Sequence, residues 1–359
     1  MSGLAKSMAD LGHNVTIIVQ NKMSESRESQ GWEVPDIGTA NLVLISNEQD
    51  VYKLIANSTN NTRHLCQGLR ANGLISLAQN ILRKHKARQI IIMETVDDRG
   101  WSGILKRLYY WLYFKRFSRD ISSILAIGAN TKEWLVHRGV DRHKIVPFAY
   151  FLPRIDMTIE RKKNVGFKLL YVGQLINRKR LDLLINAISL IPNDSLELMV
   201  IGSGKLEIEL KNYAEKLLPN RVHWIGKLPI NKVRYQMAQS DCLVLPSQHD
   251  GWGAVTIESL LSGTPVICSD ACGSSVAVKL SGHGGVFKSC DVDSLKQLIE
   301  DQISAKSQQL CDSGALSEWA CCFDIYSGAM YLSEILMSEN INRLESILPP
   351  WERGKDNLS

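Results

Sequence analysis

The sequence predicts an α/β protein made of two doubly wound, Rossmann-like domains. Short apolar runs rich in β-branched residues alternate with helical patterns along the whole chain. Such runs are typical of parallel strands covered on both faces, and strand–helix–strand repeats are typical of doubly wound sheets. The 359 residues suffice for two domains of ordinary size, and a composition of 45% hydrophobic and 22% charged residues is typical of a folded globular chain.

The first half opens with a predicted helix, residues 2–11, which Ser2 can cap and Gly12 can end. Buried strands of a parallel sheet are predicted next, at residues 14–20, 40–46, 88–94 and 123–128. Residues 150–165 hold a proline and a basic cluster without a clear period, which predicts an interdomain linker.

The second half repeats the pattern. Its predicted strands are residues 167–173, 196–202, 221–226, 241–247 and 264–270, with helices between them such as 179–190 and 205–217. We therefore predict a first domain over residues 1–155 and a second over 156–315. For residues 316–359 we predict a C-terminal helix and tail that crosses back to the first domain.

Charge is distributed unevenly between the halves. Residues 1–155 hold 21 Lys and Arg against 13 Asp and Glu, whereas residues 156–359 hold 21 against 24. The first half is thus expected to meet an anionic surface or substrate. No apolar run is long enough for a transmembrane helix, and the eight cysteines lie mostly in apolar contexts typical of reduced cytosolic thiols. A cytoplasmic protein is expected.

The stretch 246–268, PSQHDGWGAVTIESLLSGTPVIC, suggests a ligand site. Asp250 lies in a glycine-containing loop after a predicted strand, and Glu258 lies inside the helix that begins near Gly253. The free backbone N–H groups at Gly253, Ala254 and Val255 predict an anion site, and the glycines allow a ligand to approach the backbone. A phosphate at the helix and hydroxyls at the carboxylates would together describe a nucleotide sugar.

A second stretch also indicates an anion site: residues 171–184, YVGQLINRKRLDLL. A strand and a glycine turn lead to Arg178, Lys179 and Arg180 at the start of the next helix. Cations oppose the dipole of a helix N-terminus, which indicates a bound anion, although a solvated basic face would give the same pattern. Gly202 marks another glycine turn after a strand, which is common in tight turns.

These motifs resemble the nucleotide-sugar domain of retaining GT-B glycosyltransferases of the glycosyltransferase family 4 (group 1) type. The similarity covers about residues 165–300: an acid, seven residues and a Glu from Asp250 to Glu258, then GTPVI, and the turn GQLINRKR from Gly173 to Arg180. The first half resembles the family loosely, through SMADLGHNV at residues 7–15. Two departures are Asp250, where the family has Glu, and Gln174, where it has Arg.

The resemblance implies a GT-B fold, two Rossmann-like domains facing a cleft, and a hexosyltransferase that needs no metal or other cofactor. Glu258 would accept hydrogen bonds from the ribose, Asp250 would hold sugar hydroxyls, and Lys179 would stabilise the leaving diphosphate. The donor-binding residues implied are Gly173, Gln174, Arg178, Lys179, Gly202, Gly226, Lys227, Leu228, Asp250, Gly251, Trp252, Gly253, Ala254, Val255 and Glu258. The resemblance also implies a UDP- or GDP-linked donor, a glycan or lipid-linked acceptor, and a role in O-antigen, capsule or exopolysaccharide synthesis.

Other interpretations stay open at this point. A non-catalytic nucleotide-sugar-binding relative would share these motifs. A Rossmann-type epimerase or oxidoreductase would need a G-x-G-x-x-G turn with an acid about twenty residues later, and neither half shows that set. No nucleic-acid-binding motif is found.

Two features of the first half remain open. Glu94, Asp97 and Asp98 follow a predicted strand end and are candidates for acceptor contact. Residues 99–120 are basic and aromatic; they predict either a core helix with buried aromatics and solvated cations, or a patch for an anionic membrane surface or a lipid-diphosphate acceptor.

The start of the chain departs from the doubly wound order, in which a strand precedes the first helix. Here only Met1 precedes it, and the glycine-bearing acceptor loop of the family is missing with that strand. We therefore expect a first domain lacking its first strand, and a natural protein with roughly 15–30 further residues.

Overall fold

A computed structural model describes residues 1–22, 34–59, 61–69, 74–154, 166–338, 344 and 346–353. The chain divides into two compact units: residues 1–153 with 323–359, and residues 154–322. The predicted C-terminal segment 316–359 is therefore shared between the units. Of the predicted linker 150–165, residues 155–165 lie outside the described residues. No helix in the described ranges is long and apolar enough to cross a membrane.

The first unit contains two parallel sheets. The smaller sheet pairs β1 (Thr16–Val19) with β2 (Asn41–Leu44). The larger sheet places its strands in chain order: β3 (His64–Gln67), β4 (Gln89–Glu94), β5 (Ile121–Ile127) and β6 (Ile145–Phe148). The helices of this part are α1 (Ser2–Asp10), α2 (Glu48–Ala56), α3 (Ile75–Lys84), α4 (Gly100–Phe117) and α5 (Thr131–Val136).

The prediction that the first two strands are buried in the main sheet was wrong. Within the described ranges β1 and β2 pair only with each other, and Ile18 and Leu44 are 45% and 49% exposed. An apolar run shows that a strand can be buried, but it is buried only if neighbouring helices or strands pack against both of its faces. In β4 and β5 they do, because both strands are buried along almost their whole length.

The sequence analysis did not predict β3 or β6. β3 has only four residues, and a polar side chain lies at each end. β6 contains Pro147, which cannot donate to a ladder and so lowers a strand prediction; the strand lies at the sheet edge, where a proline is tolerated. The predicted Ser2 cap was also wrong, because Ser2 is already helical and Met1 takes the capping position.

The second unit is built on one sheet of six parallel strands. Its strands are β7 (Phe167–Val172), β8 (Leu196–Ile201), β9 (Val222–Gly226), β10 (Cys242–Leu245), β11 (Val266–Ser269) and β12 (Gly284–Phe287). They lie in the order β12-β11-β10-β7-β8-β9, the doubly wound arrangement, in which the strand order reverses between β7 and β10. Ligands of such sheets bind beyond the carboxyl ends of the strands at that reversal.

Helices connect these strands and end the unit. They are α6 (Leu181–Ser189), α7 (Glu207–Leu217), α8 (Ile230–Ala238), α9 (Ala254–Leu261), α10 (Ser275–Ser281), α11 (Val292–Ser307) and α12 (Ser313–Ala320). Side chains of β7, β8 and α6 dominate the core, and many of them are fully buried.

Helix α13 (Ile325–Met337) belongs to the first unit and packs against α1. Asp324 caps α13 by accepting a hydrogen bond from the backbone N–H of Ser327. The Tyr331 hydroxyl donates to the carbonyl of Pro147 at 2.8 Å. Helix α13 thus contacts both α1 and strand β6 of the larger sheet.

Candidate functional site

The start of α9 is fixed by a glycine. Gly253 takes the capping position with φ +84°, in the left-handed region that favours glycine. A Cβ atom there would lie 2.8 Å from Leu245 Cδ2 and 3.2 Å from Ser274 Oγ. The backbone N–H groups of Ala254 and Val255 have no acceptor within the helix, so this end attracts an anion, whereas the Thr256 N–H donates to the Gly253 carbonyl at 2.9 Å. The predicted helix start near Gly253 is confirmed.

Lys179 and Asp250 form an ion pair at the point where the strand order reverses. Lys179 Nζ lies 2.5 Å from Asp250 Oδ2, and the two side chains are only 13% and 14% exposed. Lys179 ends a short 3₁₀ turn after β7, whereas Asp250 lies in the loop after the neighbouring strand β10. Lys179 and Asp250 are thus 71 positions apart in sequence but adjacent in the fold.

Arg178 ties these two loops together. Its guanidinium donates to the His249 carbonyl at 2.7 Å, and its own carbonyl accepts from the Gln248 N–H at 2.8 Å. Arg180 has φ +51° and pairs with Asp182 at 3.0 Å. Of the three predicted phosphate-binding cations, Lys179 is the one that faces Asp250.

The loop that carries Asp250 is also held from the other side. The Asp250 N–H donates to the Ala271 carbonyl at 3.1 Å, and the Gly273 N–H donates back to the Asp250 carbonyl at 2.9 Å. The Ser274 N–H donates to the Trp252 carbonyl at 2.8 Å. Trp252 is only 2% exposed, so its indole packs inside the unit. This backbone bonding preorganises the loop.

Glu258 lies one turn into α9. Burial raises the pKa of its carboxyl to about 6, because removal from water disfavours the charged form, while Arg234 acts in the opposite direction. Arg234 comes from α8 and was not singled out by the sequence analysis, because a single cation on a helix gives no signal of its own. The charged form of a buried carboxyl is stabilised when hydroxyl groups of a ligand donate hydrogen bonds to it.

The predicted glycines bring three loops into backbone contact. A Cβ atom on Gly202 would lie 1.9 Å from the Gly173 carbonyl oxygen. The Gly173 N–H donates to the Ile201 carbonyl at 3.0 Å, and the Gly202 N–H donates to the Gly226 carbonyl at 2.8 Å. Lys227 follows at the edge strand and is exposed. Gly173 and Gly202 thus follow β7 and β8, and Gly226 ends β9, so the three glycines lie at the carboxyl ends of neighbouring strands.

Several buried hydroxyls near this loop were missed by the sequence analysis. In the part of the chain that the structure describes, Ser247 Oγ, Thr256 Oγ1 and Ser274 Oγ are buried without a hydrogen-bond partner, and each residue has 0% exposure. Buried polar atoms normally find a partner, so these three mark an unusual site. Serine and threonine are too common in loops and helices for the sequence to reveal this.

The acceptor candidates lie in the first unit and differ in their surroundings. Asp98 pairs with Arg138 and accepts from Trp134 Nε1 at 3.2 Å, and it is 17% exposed. Asp97 pairs with Arg99 at 2.9 Å. Both acids are thus engaged in local ion pairs.

Glu94, the third acceptor candidate, ends β4 beside Tyr150. Burial raises the pKa of the Tyr150 hydroxyl well above its usual value, with smaller contributions from the charge of Glu94 and a hydrogen bond to it. No three His, Cys, Asp or Glu side chains in the described ranges lie close enough together to hold a metal ion.

Comparison with known proteins finds a family similarity in the second half of the chain. Residues 155–312 match the family model described as "Glycosyl transferases group 1". The chain is 29% identical over 175 residues to the putative teichuronic acid biosynthesis glycosyltransferase TuaC of Bacillus subtilis, covering 45% of this chain and 43% of that protein. It is 25% identical over 190 residues to the O-antigen biosynthesis glycosyltransferase WbnH of Escherichia coli, covering 52% and 53%. The matches thus span about half the length of these relatives.

Solved structures cover more of the chain. Anabaena Alr3699/HepE in complex with UDP has a TM-score of 0.66 at 15% identity, with 90% of this chain and 99% of that chain covered. A glycosyltransferase from Rickettsia africae ESF-5 has a TM-score of 0.69 at 15% identity, with 93% and 92% covered. At this identity the likeness establishes the fold alone: the chain has the GT-B fold, with two Rossmann-like units.

Proposed function

We propose that this protein is a metal-independent retaining glycosyltransferase of the family 4 type. It would transfer a hexose from a nucleoside-diphosphate donor to a glycan or lipid-linked acceptor. The observation that carries the proposal is the Lys179–Asp250 pair beside the N-terminus of α9, at the reversal of strand order. A cation, free backbone N–H groups and a nearby carboxylate match the phosphate and hydroxyl groups of a nucleotide sugar.

The proposed chemistry exchanges one bond at the anomeric carbon for another. The bond from this carbon to the diphosphate oxygen breaks, and a bond to the acceptor hydroxyl oxygen forms on the same face. The acceptor proton goes to the departing phosphate oxygen. Negative charge grows on that phosphate, where Lys179 and the N–H groups at the start of α9 would stabilise it most strongly in the transition state. Asp250 would hold hydroxyls of the transferred sugar.

Glu258 would bind the ribose rather than take part in the bond exchange. Its carboxylate would accept hydrogen bonds from two ribose hydroxyls, and such bonds favour the charged form. The backbone around Gly226 and Leu228 would face the base. Acceptor binding by Glu94, Asp97 and Asp98 stays a prediction.

The biological role we propose is surface polysaccharide synthesis in the cytoplasm, at the inner face of the membrane. The names of TuaC and WbnH, which refer to teichuronic acid and O-antigen biosynthesis, support this choice. UDP and glucose occur in the titles of the Anabaena structures, so UDP-glucose is the first donor to test.

The test is a panel of UDP- and GDP-sugars with the 359-residue chain, read by calorimetric binding and by sugar release. We expect one donor to bind and to be hydrolysed or transferred, with activity retained in EDTA. Glu258→Gln should weaken nucleotide binding by about 1.5–3 kcal/mol, the usual value of a hydrogen bond to a charged group.

Glu197→Gln is the matched control, because Glu197 is an exposed acid on the same sheet. Failure of every nucleoside diphosphate to bind would refute the donor site. Binding without any turnover would favour a non-catalytic sugar-nucleotide-binding protein, and loss of activity in EDTA would refute metal independence.

A further inference from the structure

Helix α4 of the first unit exposes an apolar stripe, which we name the α4 outer face: Trp101, Leu105, Leu108 and Leu112. Their spacing of four, three and four residues places them on one side of the helix. The side chains are 90%, 72%, 53% and 51% exposed. On the opposite side Tyr110 and Phe114 are 5% and 0% exposed. One side of α4 therefore packs into the unit, and its other side presents large apolar groups to solvent.

The sequence left two interpretations of this segment open. A core helix would bury its aromatic residues, and that interpretation fails for Trp101 at 90% and Trp111 at 41% exposure. Contiguous exposed apolar surface on a folded protein marks an interaction site. What the stripe contacts must be inferred from its charge.

The charge of α4 is entirely positive. Its eighteen residues include four cations and no acid. Lys115 and Arg116 are exposed in the last turn, and Lys115 Nζ lies 4.9 Å from the centre of the Trp111 ring. Lys106 and Arg107 instead donate to the carbonyls of Asp97 and Asp98, so Lys115 and Arg116 are the cations available to a partner.

A cavity beside the α4 outer face adds to this surface. It has a volume of about 460 Å³ and lies between α3 and α4. Arg83 and Arg116 line it together with apolar side chains that include Leu112, a member of the outer face. A site with guanidinium groups and an apolar wall fits an anionic headgroup attached to an acyl chain.

We propose that the α4 outer face docks on an anionic lipid bilayer. An amphipathic helix lies in the bilayer interface, with its apolar side chains in the acyl boundary and its cations at lipid phosphates. Tryptophan side chains such as Trp101 favour that interface. A second copy of the chain fits less well, because its own α4 has four cations and no acid and so offers Lys115 and Arg116 no opposite charge. The docking concerns lipid alone and does not depend on transferase activity.

The test is sedimentation of the full chain with vesicles of equal parts phosphatidylglycerol and phosphatidylcholine, and with pure phosphatidylcholine. We expect binding to the anionic vesicles only, weakened by salt. Lys115→Gln with Arg116→Gln should lower the partition coefficient about 30-fold. Leu105→Ser with Leu108→Ser should lower it about 100-fold.

Matched controls come from α7 of the second unit. Lys211→Gln with Lys216→Gln removes two exposed cations, and Ile208→Ser removes a side chain that is 78% exposed. These variants should bind vesicles as the wild type does. Circular dichroism checks that every variant is folded. As a second readout, brominated lipids should quench tryptophan fluorescence, and Trp101→Phe should reduce that quenching.

Three results would overturn the proposal. One is a wild-type protein that stays in the supernatant with anionic vesicles at low salt. Another is an equal loss of binding in the α4 and α7 variants. The third is a concentration-dependent dimer, seen by analytical ultracentrifugation, that Leu105→Ser with Leu108→Ser abolishes, since that would assign the face to self-association.

Discussion

At the residue scale, Glu258 shows how burial gives a carboxyl a measurable signature. Its pKa of about 6 in the folded chain lies above the ordinary value of 4.5. Between these two pH values the folded state therefore holds a proton that the unfolded state has lost. The free energy of unfolding should fall by about 2 kcal/mol as pH rises through this window, and it stays lower above it.

Glu258→Gln removes that titration, so we expect the variant to lose this part of the pH dependence and to exceed the wild type in stability at neutral pH. Urea unfolding at about pH 4.5 and pH 7 measures both. Glu197→Gln, at an exposed acid, should keep the wild-type slope. An unchanged slope in Glu258→Gln would show that this carboxyl titrates normally.

The buried ion pair of Lys179 and Asp250 leads to a second prediction at the residue scale, which concerns the stability of the fold. The role that the resemblance implies for Lys179, stabilisation of the leaving diphosphate, predicts that Lys179→Ala slows the reaction more than it affects the fold. The structure changes that expectation, because the pair is 13% and 14% exposed and removal of the lysine leaves an uncompensated carboxylate. We expect Lys179→Met to cost about 3–5 kcal/mol of stability.

Adding Asp250→Asn to Lys179→Met should restore most of that stability, since the unpaired charge is then gone, but it should not restore transfer. Urea unfolding of the two single variants and the double variant gives the coupling energy. Additive effects on stability would mean that the ion pair contributes nothing to folding. Recovery of transfer in the double variant would remove both residues from the proposed site.

At the element scale, local pattern located most strands but not their surroundings. β7, β8 and β10 were predicted within two residues because apolar runs between turn signals mark them directly. The exposure of β1 and β2 depends on which elements pack against them, and the local sequence of a strand does not give that information. The same limit applies to the site: Asp250 and Glu258 stand out by local contrast, whereas Arg234 and Ser274 reach it only through the packing of α8 and the loop before α10.

Gly253 links the loop after β10 to α9. Its substitution tests whether the start of α9 requires a glycine at this position. An alanine there would meet both a φ of +84° and a contact of 2.8 Å with Leu245 Cδ2. We expect Gly253→Ala to lower stability by about 2–4 kcal/mol, from backbone strain plus overpacking, and to weaken nucleotide binding.

Gly282→Ala separates these two causes. Gly282 also has a positive φ, +67°, but an added Cβ there would meet nothing within 4 Å. Its loss of about 1–2 kcal/mol should reflect backbone strain alone, without an effect on binding. Equal thermal shifts in the two variants would mean that the contact with Leu245 is relieved at no cost.

At the scale of the whole molecule, the two proposed binding surfaces belong to different units. Every residue we assign to the donor lies between Gly173 and Glu258, inside the unit of residues 154–322. The α4 outer face lies in the unit of residues 1–153 with 323–359. The net charge does not separate the units as clearly: residues 1–153 with 323–359 hold 23 Lys and Arg against 19 Asp and Glu, and residues 154–322 hold 19 against 18.

Hydrogen exchange of the full chain, read by mass spectrometry, tests this division. A ligand stabilises the amides of the part it binds, because opening of that part then requires its release. UDP should slow exchange in the loops after β7, β8 and β10 and in the first turn of α9, and it should leave α4 unchanged. Anionic vesicles should slow exchange in α4 and leave α9 unchanged. Protection by UDP confined to the first unit would refute the assignment of the donor site, and protection by vesicles confined to the second unit would refute the assignment of the lipid surface.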